Sequence, residues 1–151
     1  MTTTQMIIAI IIACVLALIA FAALINRLNY SFFVIDRMSG ARFEKFIARL
    51  YGKLGYKSKR TSATGDQGID VIVKKGFKKI GIQAKRYNGR VGNSAVQEAA
   101  AGKKYYKLDK VCVITNSGFT KSAIELARAN GVQLIDREGL KELIKKARKN
   151  N

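Results

Sequence analysis

Hydrophobic residues fall along this chain in three different rhythms. From Met6 to Ile25, MIIAIIIACVLALIAFAALI, they are unbroken. Twenty apolar residues in a helix reach about 30 Å, the thickness of a bilayer's hydrocarbon core. A helix buried in a soluble core keeps a polar stripe, and this one has none. AFA at 20–22 resembles a signal-peptide cleavage site, but MTTTQ ahead of the run holds no Lys or Arg. The run is also longer than the usual apolar region of about 7 to 15 residues, so it predicts an uncleaved membrane anchor.

Residues 27–38 are expected as a linker with an apolar patch, YSFFVI. From Ser39, an N-cap, the rhythm turns helical. Phe43, Phe46, Ile47, Leu50, Tyr51 and Leu54 recur on one face until Gly55. Alternation then takes over, with a strand near 56–61, the loop TSATGDQG, and GDQGIDVIVKKGFKKIGIQAKRY as two strands joined at Gly76 and Phe77. That turn sets Asp70 opposite Gln83, with Lys85 on the same face. Ile69, Val71, Val73, Ile80, Ile82 and Ala84 form the apolar face behind them. A helix over 93–107, the buried strand KVCVIT and a helix over 120–130 stopped by Gly131 follow. The strand VQLI comes next, and then a helix capped by Asp136 with Leu140, Leu143, Ile144 and Ala147 on one face. This order predicts an α/β domain whose mixed central β-sheet is flanked by helices, an antiparallel hairpin lying beside parallel crossover strands. Residues 1–28 would be tail and anchor, 29–38 linker, and 39–151 the domain.

Charge changes the picture next. The 151 residues hold 28 Lys and Arg against 10 Asp and Glu, a net +18, with no His, Pro or Trp, and no charged side chain precedes Arg27. The domain therefore attracts polyanions, nucleic acid first and an anionic membrane surface second. Arg27, Arg37 and Arg42 follow the apolar run and nothing basic precedes it. The positive-inside rule then predicts a single-pass protein of the cell membrane with its C-terminal domain cytoplasmic. Cys14 and Cys112 read as small buried residues, without disulfide or zinc spacing.

The candidate chemistry lies on the polar face of the hairpin. Hydrolysing a phosphodiester requires charge neutralisation, an activated water and a stabilised leaving oxygen, which a divalent metal on carboxylates plus one lysine supplies. Asp70 is a hard oxygen ligand for Mg²⁺ or Mn²⁺, Gln83 offers a neutral amide oxygen, and Lys85 can orient water or stabilise charge on phosphorus. Glu44, beside the apolar stripe of the first domain helix, could share a metal-bound water. The plainer alternative makes Asp70 and Lys85 a cross-strand ion pair worth under about 1 kcal/mol. Glu44, with no basic residue three or four positions away, would then be a solvated carboxylate. Arg86, Tyr87, Arg90 and the Lys103 and Lys104 of KKYYK are candidate phosphate contacts. Asp66 reads first as a turn residue.

The pieces FEKFIARLYGKLGY, GDQGID, QAKRY with VGNSAVQE, TNSGFT and GVQLID occur in an order that resembles the Mrr-like restriction endonuclease domain, a branch of the PD-(D/E)xK nuclease superfamily. The resemblance covers Ser39 to Leu143. It implies a metal-dependent DNA-cleaving fold; joined to the anchor expected from the apolar run, this gives a membrane-anchored, Mg²⁺-dependent endodeoxyribonuclease for restriction of foreign or modified DNA, with no small-molecule cofactor. Asp70 would be the metal ligand, Gln83 would stand at the usual acidic position, Lys85 would be the catalytic lysine and Glu44 the helix carboxylate. The superfamily more commonly has an acid where Gln83 stands. A homodimer is compatible with this reading. The alternative is a non-catalytic tether that holds DNA or anionic lipid at the membrane.

Overall fold

The computed structural model describes residues 2–29, 31–61 and 67–150, so Asp66 and most of the TSATGDQG loop lie outside the described residues. The helices are α1 (Thr3–Asn29), α2 (Phe32–Ile35), α3 (Gly40–Lys53), α4 (Asn93–Tyr105), α5 (Lys121–Asn130) and α6 (Arg137–Lys149). The strands are β1 (Lys57–Arg60), β2 (Val71–Lys75), β3 (Lys78–Lys85), β4 (Lys110–Thr115) and β5 (Val132–Ile135). The chain divides into two units, Met1–Ile35 and Asp36–Asn151.

In the first unit the stretch Thr3–Phe21 is long and apolar enough to cross a membrane, and none of it is buried by protein. Ile8, Leu16, Leu18 and Phe21 are exposed, as is Cys14, which the sequence had suggested was buried. Where a linker was expected, α1 continues to Asn29 and α2 adds a single turn.

The second unit is built on a five-stranded sheet in the order β1-β2-β3-β4-β5. β1, β2 and β3 pair antiparallel, while β3, β4 and β5 pair parallel. Parallel strands require crossovers, and α4 and α5 supply them, packed against each other. Their small residues Ala95, Ala99, Ala123 and Ala127 close on Ile69, Val111 and Val113 from the sheet side. The alternate strand residues Val71, Val73, Ile82, Cys112 and Ile114 are buried too. By strand alternation they face the other side, where α3 and α6 contact the sheet. There the Cys112 thiol meets the Tyr51 hydroxyl, and burial pushes its pKa up to about 12. The expected caps form: Ser39 accepts from the Arg42 N–H, Thr120 from Ala123, and Asp136 from Gly139. Gly131 (φ 61°) takes the left-handed conformation that stops α5.

The hairpin departs from regular alternation at one end. Pairing runs from Lys75–Lys78 to Val71–Ile82, in the expected register, and stops there. Asp70 therefore lies outside the ladder rather than directly paired with Gln83. Its N–H still donates to the Ile82 carbonyl (2.9 Å), but its carboxylate replaces the next ladder acceptor and takes the Ala84 N–H at 2.7 Å. The bend also carries Ile69 to the α4 side of the sheet, not to the face of Val71 as simple alternation suggested.

Gly68 and Gly102 permit that bend. Gly68 has φ 78°, and a Cβ there would sit 2.4 Å from the Glu98 carbonyl oxygen. A Cβ on Gly102 would sit 2.4 Å from Ile69 Cγ1 and 2.6 Å from the Gln67 carbonyl. Helix α4 is thus seated directly on the backbone leading to Asp70. Gly68→Ala combines a disfavoured φ with a backbone clash and is expected to destabilise the second unit by about 3 kcal/mol. Chemical unfolding of the two proteins measures this, and an unchanged midpoint would contradict the close seating.

The start of the second unit is tied to its far end. Asp36 pairs bidentately with Arg137 (both oxygens at 2.9 Å), and Asn116 donates to the same carboxylate at 2.9 Å. The hydrogen bond from Arg137, helped by that from Asn116, holds the Asp36 carboxyl below the ordinary range against the opposing effect of burial.

Candidate active site

Polar residues gather where β3 ends, beside the N-terminal half of α4. Gln83 and Lys85 are two apart on β3 and so share a face, the one covered by α4. Lys85 Nζ lies 2.7 Å from Glu98 Oε2, and Gln83 Nε2 donates to the same oxygen at 3.2 Å. The lysine and glutamate are each partly exposed, so their pairing contributes at most about 1 kcal/mol to stability. Its consequence is orientation: the ammonium is held beside the amide at the mouth of the site.

Asp70 and Gln83 are both buried, 8% and 5% exposed. The Asp70 carboxylate is fixed by the backbone N–H of Ala84, the residue after Gln83. Gln83 Oε1 is buried and has no hydrogen-bond partner among the described residues. A buried acceptor left this way costs about 1–3 kcal/mol, and folded proteins keep few of them. An amide oxygen without a partner near a buried carboxylate is a donor set suited to a hard divalent cation, which takes oxygen ligands and retains waters. The oxygens of Asp70, Gln83 and Glu98 are of the kind such an ion takes. Among the described residues no three His, Cys, Asp or Glu side chains gather into a cage of their own.

Glu98 was missing from the residues the sequence singled out. Its signal was positional: it stands three after Ala95 and four before Gly102, both buried, so a carboxylate occupies the core-facing side of α4. Glu44 is placed differently. It makes an ion pair with Arg60 at 3.1 Å, its partner coming from β1 rather than from its own helix, and it is half-buried instead of solvated. None of its hydrogen bonds or ion pairs reaches Gln83, Lys85 or Glu98.

The segment after β3 lines a groove of about 320 Å³ with Lys85, Arg86, Tyr87, Arg90, Ser94 and Ala95. It adjoins a larger hollow of about 650 Å³ that Tyr87 and Arg90 share with Asn116, Phe119 and Arg137. Tyr87 and Arg90 are exposed, and Asn116 holds the Tyr87 N–H at 2.8 Å. Arg86 has a structural use: its Nε donates to the Met38 carbonyl at 2.7 Å and its NH1 to Asn88 at 2.6 Å. Lys103 lines a separate hollow with Lys110, Val132 and Gln133 at the N-terminal ends of β4 and β5, so Lys103 and Lys104 are not brought to Lys85.

The family model Mrr_cat, described as a restriction endonuclease, matches residues 35–144. The type IV methyl-directed restriction enzyme EcoKMrr of Escherichia coli (strain K12) is 33% identical over 117 residues, 72% of this chain and 38% of that enzyme. The chain thus spans well under half the length of that relative. Two solved structures share the fold, each with a TM-score of 0.55. One is AF1548, a protein of unknown function, at 20% identity over 66% of this chain and 63% of its own. The other is the MspJI restriction endonuclease in complex with a 27-mer oligonucleotide, at 18% identity over 80% of this chain and 30% of its own.

Proposed function

The chain belongs to the restriction endonuclease family Mrr_cat, and from that premise we propose that it is a membrane-anchored, divalent-metal-dependent DNA endonuclease serving restriction of foreign or modified DNA. The observation that carries the reading is the convergence of Lys85 and Gln83 on Glu98, with a buried Asp70 and an unpartnered Gln83 Oε1 behind them. Asp70 and Gln83 would hold Mg²⁺ or Mn²⁺, and Glu98 supplies the second carboxylate that the Gln at position 83 leaves out. The bound cation would neutralise phosphate charge and lower the pKa of a water.

The chain's own residues do the rest. Lys85 places a positive charge where phosphorus accumulates negative oxygen, and Glu98 keeps the ammonium from swinging into solvent. Arg90 and Tyr87 line the groove through which a DNA backbone would pass, with Arg90 contributing charge and Tyr87 a flat exposed ring. Asn116 holds the backbone N–H of Tyr87 in that groove wall. Glu44 is held by Arg60. Helix α1 would anchor the protein, and the arginines that follow it would keep the second unit in the cytoplasm.

The absence of a three-membered acidic cage among the described residues is the feature a non-catalytic tether would share. Strand cleavage separates the two readings. Full-length protein in detergent should convert supercoiled plasmid to nicked and linear forms with Mg²⁺ and leave it intact with a chelator. Binding without cleavage under both conditions would favour the tether.

A further inference from the structure

The opposite end of β3 carries a surface that the nuclease reading does not use. Gly76 and Phe77 form the β2–β3 turn, and Phe77 is fully exposed, at 104% of its reference area. The register sets Lys57, Lys74 and Lys79 side by side across β1, β2 and β3, and Lys75 opposite Lys78. Like charges directly opposite one another destabilise a sheet. Lys79 turns its ammonium to the Tyr106 carbonyl at 3.2 Å, and Lys75 lies 5.2 Å from the Tyr56 ring centre. None of Lys57, Lys74, Lys75 and Lys78 has an ion-pair partner among the described residues. An exposed aromatic ring amid mutually repelling lysines contributes nothing to folding, so a polyanion with an apolar phase behind it accounts for both features.

We propose that this hairpin tip docks on an anionic phospholipid surface. Phe77 enters the boundary between headgroups and acyl chains, and Lys74, Lys75 and Lys78 meet the headgroup phosphates. Position argues for lipid over the nuclease substrate. Lys78 and Lys85 are seven residues apart on one strand, roughly 23 Å, and they lie at opposite ends of the sheet. DNA seated at Lys85 has its contacts at the other end. Chemistry argues the same way, since the outer face of duplex DNA has no unstacked base or apolar phase to take up a Phe ring, and acyl chains do.

The protein has no Trp, so Phe77→Trp makes the tip its only indole. The full-length variant is combined with vesicles of phosphatidylcholine alone and of phosphatidylcholine with phosphatidylglycerol. In the anionic vesicles the emission should shift to the blue and be quenched by brominated acyl chains. In the neutral ones it should remain water-like. Adding Lys74→Gln, Lys75→Gln and Lys78→Gln should weaken the tip's equilibrium with the surface roughly a hundredfold. Water-like emission in both vesicle types overturns the proposal. So does a shift produced by duplex DNA and not by lipid, which would assign the tip to nucleic acid. Flotation with the neutral vesicles reports α1 alone, so loss of the anchor is read separately from the indole.

Discussion

Asp70→Asn is expected to lower the rate of Mg²⁺-dependent strand cleavage about a thousandfold while leaving the protein folded. The side chain has two jobs that this substitution separates. One is structural: its carboxylate takes the Ala84 N–H where the β2–β3 ladder ends. An asparagine oxygen still accepts that bond. The other is the negative charge, which under the proposed function would hold a cation whose Lewis acidity is worth several kcal/mol in the transition state. Single-turnover nicking of plasmid gives the rate, and circular dichroism shows whether the fold survives. Wild-type cleavage by the variant would remove Asp70 from the site. A loss of structure along with activity would assign it to the hairpin instead.

Lys85→Ala is expected to lower the same rate by about two to three orders of magnitude, the range seen when one preorganised donor to a developing oxyanion is removed. DNA affinity should change little, because Lys85 is one of 28 basic residues. Stability should change little as well, since the ion pair with Glu98 is partly exposed. This split between rate and affinity identifies an interaction made in the transition state. A parallel fall in affinity and rate would make Lys85 a phosphate anchor, and an unchanged rate would leave it as a surface ion pair.

The elements of the second unit could be read from the chain because each local signal agrees with the next. Ser39, Thr120 and Asp136 cap helices whose apolar faces meet a sheet, and Gly131 ends α5 in the conformation glycine favours. The hairpin register followed from Gly76 and Phe77, and with it the shared face of Gln83 and Lys85. Three features depended on long-range packing. Asp70 leaves the ladder because its side chain takes over a backbone acceptor, which periodicity cannot express. Ile69 changes face because Gly68 and Gly102 bring two backbones into contact across 34 residues of sequence. Glu98 joins the site only when α4 crosses β3, although its place between Ala95 and Gly102 marked it as facing inward.

The partners of Glu44 and Arg86 were hidden for a related reason. Arg60 reaches Glu44 from another element, and Met38 accepts the Arg86 Nε from 48 positions away. Sequence spacing on a helix or a strand names neighbours within that element only. Arg86 looked like a phosphate ligand because it follows Lys85, yet its bonds hold the segment at Met38 to the end of β3. Arg90, an exposed residue with one guanidinium nitrogen on the Phe119 carbonyl at 3.1 Å, keeps the capacity to meet a phosphate.

The proposal that Asp70 and Gln83 hold the cation on which cleavage depends is checked by the Mg²⁺ dependence of the cleavage rate. The measurement compares wild-type protein with Gln83→Glu, in which a carboxylate replaces the unpartnered amide. The variant is expected still to cleave, with a lower half-saturating Mg²⁺ concentration, because a charged oxygen binds a hard cation more tightly than a neutral one. Identical Mg²⁺ curves for the two proteins, at equal rates, would contradict it.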